Sequence, residues 1–235
     1  DVVVESAELR GRVAHLPHAS FDHVVDGDEH GRDRGGPEDV AQRIDGPAEG
    51  VDHVVFIIKI LRALFLILVG SLLLTASAKV QVPFYPVPMT LQTLVVLLIG
   101  VAFGWRMGTA TVLAYLAQGA LGFPVFAGTP EKGLGLLYMA GPTGGYLLGF
   151  ALAAATTGWL AERGLDRSAI GTAFAMAAGN VVIYVCGLVW LSSFVGMEKA
   201  VDFGMLPFLF GDLMKIALAT ATLPMIWKFL NRHHL

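Results

Sequence analysis

Asp212 and Lys215 are the only charged side chains in the run from residue 207 to 227, and they stand three residues apart. On a helix that spacing puts both on one face. A charge at mid-membrane costs roughly 2.5 to 3.5 kcal/mol on insertion scales, so such a pair faces a bundle interior or a water-filled cavity. Two uses fit the residue types: a structural pair that neutralises itself near the outer boundary, or a polar site for a ligand.

Other polar groups sit in comparably apolar surroundings. Val87-Pro88-Met89-Thr90-Leu91-Gln92-Thr93, Gly141-Pro142-Thr143-Gly144-Gly145-Tyr146 and Gly211-Asp212 each stand at the start of an apolar run. Helix N-termini present free N–H groups and a positive dipole end, so three that converge favour a ligand with carboxylate or carbonyl oxygens. Asn180 and Tyr184, at i and i+4, form a further polar face, as do Tyr115 and Gln118. A mid-span Asn serves equally as an interhelical hydrogen-bond group or as a ligand contact. Ser71 with Thr75, and Gly100, Gly104 and Gly108, carry small residues at a spacing of four, which lets helices approach closely within the bundle or against another membrane protein.

Several chemistries are excluded. No stretch matches G-x-x-x-x-G-K-[ST], and Thr129-Pro130-Glu131-Lys132-Gly133 only superficially resembles it, so ATP hydrolysis by a P-loop is not expected of this chain. Histidine is absent between His53 and His233, which removes His-dependent triads and HExxH zinc sites from the apolar part. The single cysteine, Cys186, excludes a disulfide framework and a multi-Cys metal site.

The elements that must position these groups follow from composition. Of 235 residues 55% are hydrophobic and 15% charged, and the mean hydropathy is +0.65, which requires lipid rather than water as the main surroundings. Residues 1–55 hold thirteen acidic side chains against five arginines, a net of −8, whereas 56–235 hold six acids and eleven bases, a net of +5. Neither part has the basic clusters that nucleic-acid binding requires. The first part has no sustained apolar periodicity and reads as a disordered or artefactual acidic extension. Its His15, His18, His23 and His30 lack the cysteines and fixed scaffold of a metal site. The first methionine is Met89, and the expected physiological start lies near Val51, Val54 or Val55.

Residues 56–235 read as an all-α integral membrane domain of six transmembrane helices, over about 57–77, 89–104, 107–122, 142–161, 169–194 and 207–228. Gly104-Trp105-Arg106 leaves little room for a turn between the second and third. Lys59, Arg62, Arg106, Arg163, Arg167, Lys228 and Arg232 fall on one side, and only Lys79, Lys132 and Lys199 on the other. Positive loops stay inside, so both termini are expected in the cytoplasm, with the three polar helix starts sharing the outer face.

In order and spacing, residues 60 to 228 resemble the BioY family. The likeness rests on Ser77-Ala78-Lys79-Val80-Gln81-Val82-Pro83 through Thr93, Gly122-Phe123-Pro124-Val125-Phe126-Ala127-Gly128, Gly141 to Tyr146, and Pro207-Phe208 with Gly211-Asp212-Leu213-Met214-Lys215. The resemblance implies the biotin-binding S component of an energy-coupling-factor transporter, multi-pass in a bacterial-type cytoplasmic membrane. It implies a transmembrane coupling protein and cytoplasmic ATPases as partners, with no cofactor of its own and ATP used only through those partners. Asp212 can accept from a ureido N–H of biotin, and Lys215 can donate to the ureido oxygen or offset the carboxylate, so either end of biotin fits the pair. Asn180, Tyr146 and Gln92 are further hydrogen-bonding candidates, and Phe84, Phe126 and Trp190 candidate walls. Ser71, Thr75 and Ala76, with Gly100 and Gly104, are candidates for contact with the coupling protein. An S component for another vitamin, a membrane enzyme and a structural assembly subunit are the alternatives.

Overall fold

In lipid no water satisfies the backbone, so apolar runs fold as helices that close their hydrogen bonds within each segment. The computed structural model describes residues 48–82 and 86–232, and side chains over 53–81 and 86–225. Seven α-helices stand among the described residues: α1 Ala48–Lys79, α2 Gln92–Ala120, α3 Gly135–Met139, α4 Gly144–Glu162, α5 Ala169–Val195, α6 Met197–Gly204 and α7 Leu206–Arg232. A two-residue antiparallel ribbon pairs β1 (Gln81–Val82) with β2 (Met89–Thr90), and Gln81 stands opposite Thr90. Five helices, α1, α2, α4, α5 and α7, are long and apolar enough to cross a membrane.

Helix α1 spans Ala48–Lys79, so residues 48–55, expected to precede the first span, are helical. Residues 1–47, and with them most of the expected extension, lie outside the described residues.

The stretch α2 holds the expected second and third spans as two helical arms that meet at Gly104 (φ 75°, ψ 171°). Gln92 and Tyr115 are 23 positions apart, yet they share a hydrogen bond of 2.8 Å. A straight helix would separate them by about 35 Å. A Cβ on Gly108 would lie 3.0 Å from Gly100 Cα. The chain therefore doubles back at one glycine, in a conformation that L side chains rarely adopt. Glu162, the last residue of α4, holds the turn by accepting the Trp105 N–H at 3.1 Å. That is how so short a Gly-Trp-Arg segment can reverse the chain.

Helix α4 is the most enclosed of the long helices and packs between α2 and α5. Gly100 sets the α2–α4 approach: a Cβ there would fall 2.1 Å from Thr157 Oγ1 and 2.5 Å from the Ala154 carbonyl oxygen. Helices α1 and α7 lie outermost and leave large apolar side chains uncovered, among them Leu64, Phe65 and Leu72 on α1 and Leu213, Met214 and Leu218 on α7. Such a surface suits lipid.

Candidate functional site

The polar helix starts meet around one cavity. The segment before and into α2 contributes Val87, Pro88, Met89, Thr90, Gln92 and Thr93. The start of α4 supplies Thr143, Tyr146 and Leu147, and α5 supplies Ile183 and Tyr184. Gly204, Phe208, Asp212 and Lys215 come from the end of α6 and the first turns of α7, with Ala127 and Tyr138 closing the loop side. Apolar walls carry a few convergent polar groups, which is the general form of a ligand pocket.

At its polar end Lys215 Nζ lies 2.9 Å from Asp212 Oδ1, and the side chains are 13% and 7% exposed. Removing two charges from water is costly, and the site meets that cost with further hydrogen bonds. Lys215 also donates to the Thr90 carbonyl oxygen at 2.9 Å and to Thr93 Oγ1 at 2.8 Å, so all three ammonium protons are used. The Thr93 hydroxyl in turn donates to Asp212 Oδ1 at 3.3 Å, and the Tyr184 hydroxyl donates to Asp212 Oδ2. Three elements, α2, α5 and α7, thus meet at one carboxylate.

A second set of bonds stiffens the walls. Gln92 Nε2 donates to the Tyr115 hydroxyl, which donates to the Val125 carbonyl oxygen at 3.0 Å. The Tyr146 hydroxyl reaches the Gly204 carbonyl oxygen at 2.8 Å and ties α4 to α6. Outside the long helices, Tyr138 donates to the Ala127 carbonyl oxygen at 2.8 Å. Burial pushes its phenol above the ordinary range, while the Thr143 side chain works the other way. Phe126 stacks on Tyr138 with centroids 5.0 Å apart. Lys79, at the end of α1, holds this loop through the carbonyl oxygens of Phe126 and Thr129, both at 3.0 Å.

Of the expected site residues, Asp212, Lys215, Tyr146 and Gln92 line the cavity together. Phe126 stands behind Tyr138 and Ala127 rather than on the wall, and Phe84 lies outside the described residues. Asn180 does not line it either, but lines a separate groove between α5 and α7. Trp190 is displaced from the expected wall. Its indole N–H donates to the Gly141 carbonyl oxygen at 2.9 Å, and its stem packs where a Cβ on Gly145 would fall, so it clasps the start of α4 from outside. The expected coupling residues also separate: Gly100 packs against α4 inside the fold, Gly104 is half-buried at the turn beside Glu162, and Ser71 is buried and donates to Gln118 Oε1 at 2.8 Å. Thr75 bonds back to the Ser71 carbonyl oxygen, and Ala76 alone of that group is exposed. Thr90, Thr93, Tyr138, Tyr184 and Phe208 join the site without having been selected from sequence. Tyr184 and Thr93 carried a signal, one as the i+4 partner of Asn180 and the other at the end of the polar start of α2.

The family model of the BioY family matches residues 48–232. A probable biotin transporter BioY of Pyrococcus horikoshii is 39% identical over 147 residues, 63% of this chain and 85% of that one. The biotin transporter BioY of Thermotoga maritima is 39% identical over 148 residues, again 63% and 85%. That of Rhizobium etli is 36% identical over 168 residues, 68% and 87%. In fold, the chain is similar to the crystal structure of the S-component for biotin from an ECF-type ABC transporter, with a TM-score of 0.63 at 23% identity over 72% of this chain and 93% of that one. With a family match over most of its length and a fold of apolar helices around a buried ion pair, this chain is a multi-pass membrane protein that belongs to the BioY family.

Proposed function

We propose that this protein is a biotin-binding S component, which takes biotin from the outer face into the cavity around Asp212 and Lys215. The observation that carries the proposal is the ion pair itself. A buried ion pair at one end of an otherwise apolar cavity supplies the few convergent polar groups that orient a small polar ligand. The ureido ring of biotin offers N–H donors to Asp212 and an oxygen that can replace one of the present acceptors of Lys215, and its bicycle and tail suit walls such as Val87, Leu147, Phe150 and Ile183. The names of the relatives and of the similar structure support biotin as the ligand.

Counting each arm of α2 as a crossing gives six, with the termini cytoplasmic by the lysine and arginine distribution of the loops. The protein works in the cell membrane with a transmembrane coupling protein and cytoplasmic ATPases. The exposed side of α1, around Leu72, Leu73 and Ala76, offers the coupling face. Biotin titrated into the purified protein tests the proposal: saturable binding that Asp212→Asn and Lys215→Ala both weaken is expected, and wild-type affinity in both variants would remove it.

A further inference from the structure

Asn180 is 7% exposed, and its Oδ1 is buried without a hydrogen-bond partner. Buried polar atoms are nearly always paired, so an orphan at this position calls for an explanation. The groove that Asn180 lines is apolar apart from Tyr184 and Asp212, and those two side chains also line the cavity. They are the wall between the two spaces.

Tyr184 stands one helical turn after Asn180, and long side chains on a helix lean back over the preceding turn, which aims the phenol toward the Asn180 turn. The single proton of that phenol goes to Asp212 Oδ2. Asp212 Oδ1 already takes Lys215 and Thr93. A donor arriving from the cavity therefore meets its opening at Oδ2, where Tyr184 sits.

We infer that Asn180 is a positioning residue: when a ligand N–H takes Asp212 Oδ2, the Tyr184 hydroxyl turns to Asn180 Oδ1. The exchange leaves every buried proton bonded, because the lost Tyr184–Asp212 bond is replaced by ligand–Asp212 and Tyr184–Asn180 bonds. It accounts for an amide set among Ala177, Val181 and Val185, and for its buried oxygen having no partner. It rests on the biotin reading above, since the ureido ring supplies the N–H.

A double-mutant cycle on the purified full chain tests it, with biotin affinity by calorimetry and thermal unfolding without ligand. Asn180→Leu is expected to weaken biotin by about tenfold, the equivalent of one net hydrogen bond. Its ligand-free melting temperature should be no lower than that of the wild type, because the acceptor it removes is unpartnered there. In Tyr184→Phe no hydroxyl needs a new acceptor, so adding Asn180→Leu should cost less than about twofold. An equal loss in both backgrounds overturns the exchange, as does wild-type affinity in Asn180→Leu or a marked fall in its ligand-free stability. Wild-type protein that binds no biotin overturns the biotin reading and the exchange with it, whereas wild-type binding with additive variants overturns the exchange alone.

Discussion

Replacing Lys215 by Met keeps the length of the side chain and deletes its charge. Asp212 is then left with the Thr93 and Tyr184 hydroxyls and no cation, on a side chain 7% exposed. Breaking a buried pair from one side costs about 3–5 kcal/mol, so the ligand-free protein should unfold at a clearly lower temperature. Loss of a charge-assisted bond to the ligand removes a further about 1.5–3 kcal/mol of binding, or about 10- to 150-fold in Kd. The double variant Asp212→Leu/Lys215→Met separates the two effects. It removes both charges, and apolar replacements of similar volume in place of a buried pair are often neutral or stabilising. Its melting temperature in detergent should return to near the wild-type value, while biotin binding stays lost. Two results would refute the reasoning: a double variant that binds biotin with wild-type affinity, or a Lys215→Met protein as stable as the wild type.

Three further outcomes follow from the geometry. Gly100→Leu should lower the melting temperature by the equivalent of at least about 1–3 kcal/mol, because its Cβ alone would fall 2.1 Å from Thr157 Oγ1; an unchanged melt would contradict the α2–α4 packing. Ala76→Trp, on the exposed side of α1, should impair biotin uptake in cells while leaving binding to the purified protein intact; lost binding would place that face elsewhere. Trp190→Phe should leave biotin affinity within about twofold and cost about 0.5–1.5 kcal/mol of stability, since its bond to Gly141 lies outside the cavity; a large loss of affinity would restore it to the wall.

What the sequence could disclose depended on how local the signal was. Asp212 and Lys215 are three apart in one helix, so their shared face and their cost in lipid were legible without any neighbour. The same holds for the polar helix starts, which do gather at one cavity. Tyr184 and Thr93 were visible as polar residues, but their meeting at Asp212 depends on how α2, α5 and α7 approach one another, which no single-helix period encodes. Trp190 illustrates the converse. Depth along α5 was readable, but not the side of the helix that α4 would occupy. The glycine series was ambiguous for a physical reason, since a spacing of four serves packing within a bundle and between proteins alike. The reversal at Gly104, with Glu162 accepting the Trp105 N–H, puts Gly100 in the α2–α4 contact and Gly104 at the turn.

The most direct measurement is of the small molecule that the purified protein holds, by mass spectrometry of the co-purified ligand and by competition among biotin, thiamine and riboflavin. Unmodified biotin is expected, displaced by biotin alone and absent from Asp212→Asn protein. Another vitamin, a chemically converted ligand, or no small molecule in protein that is otherwise folded would contradict it.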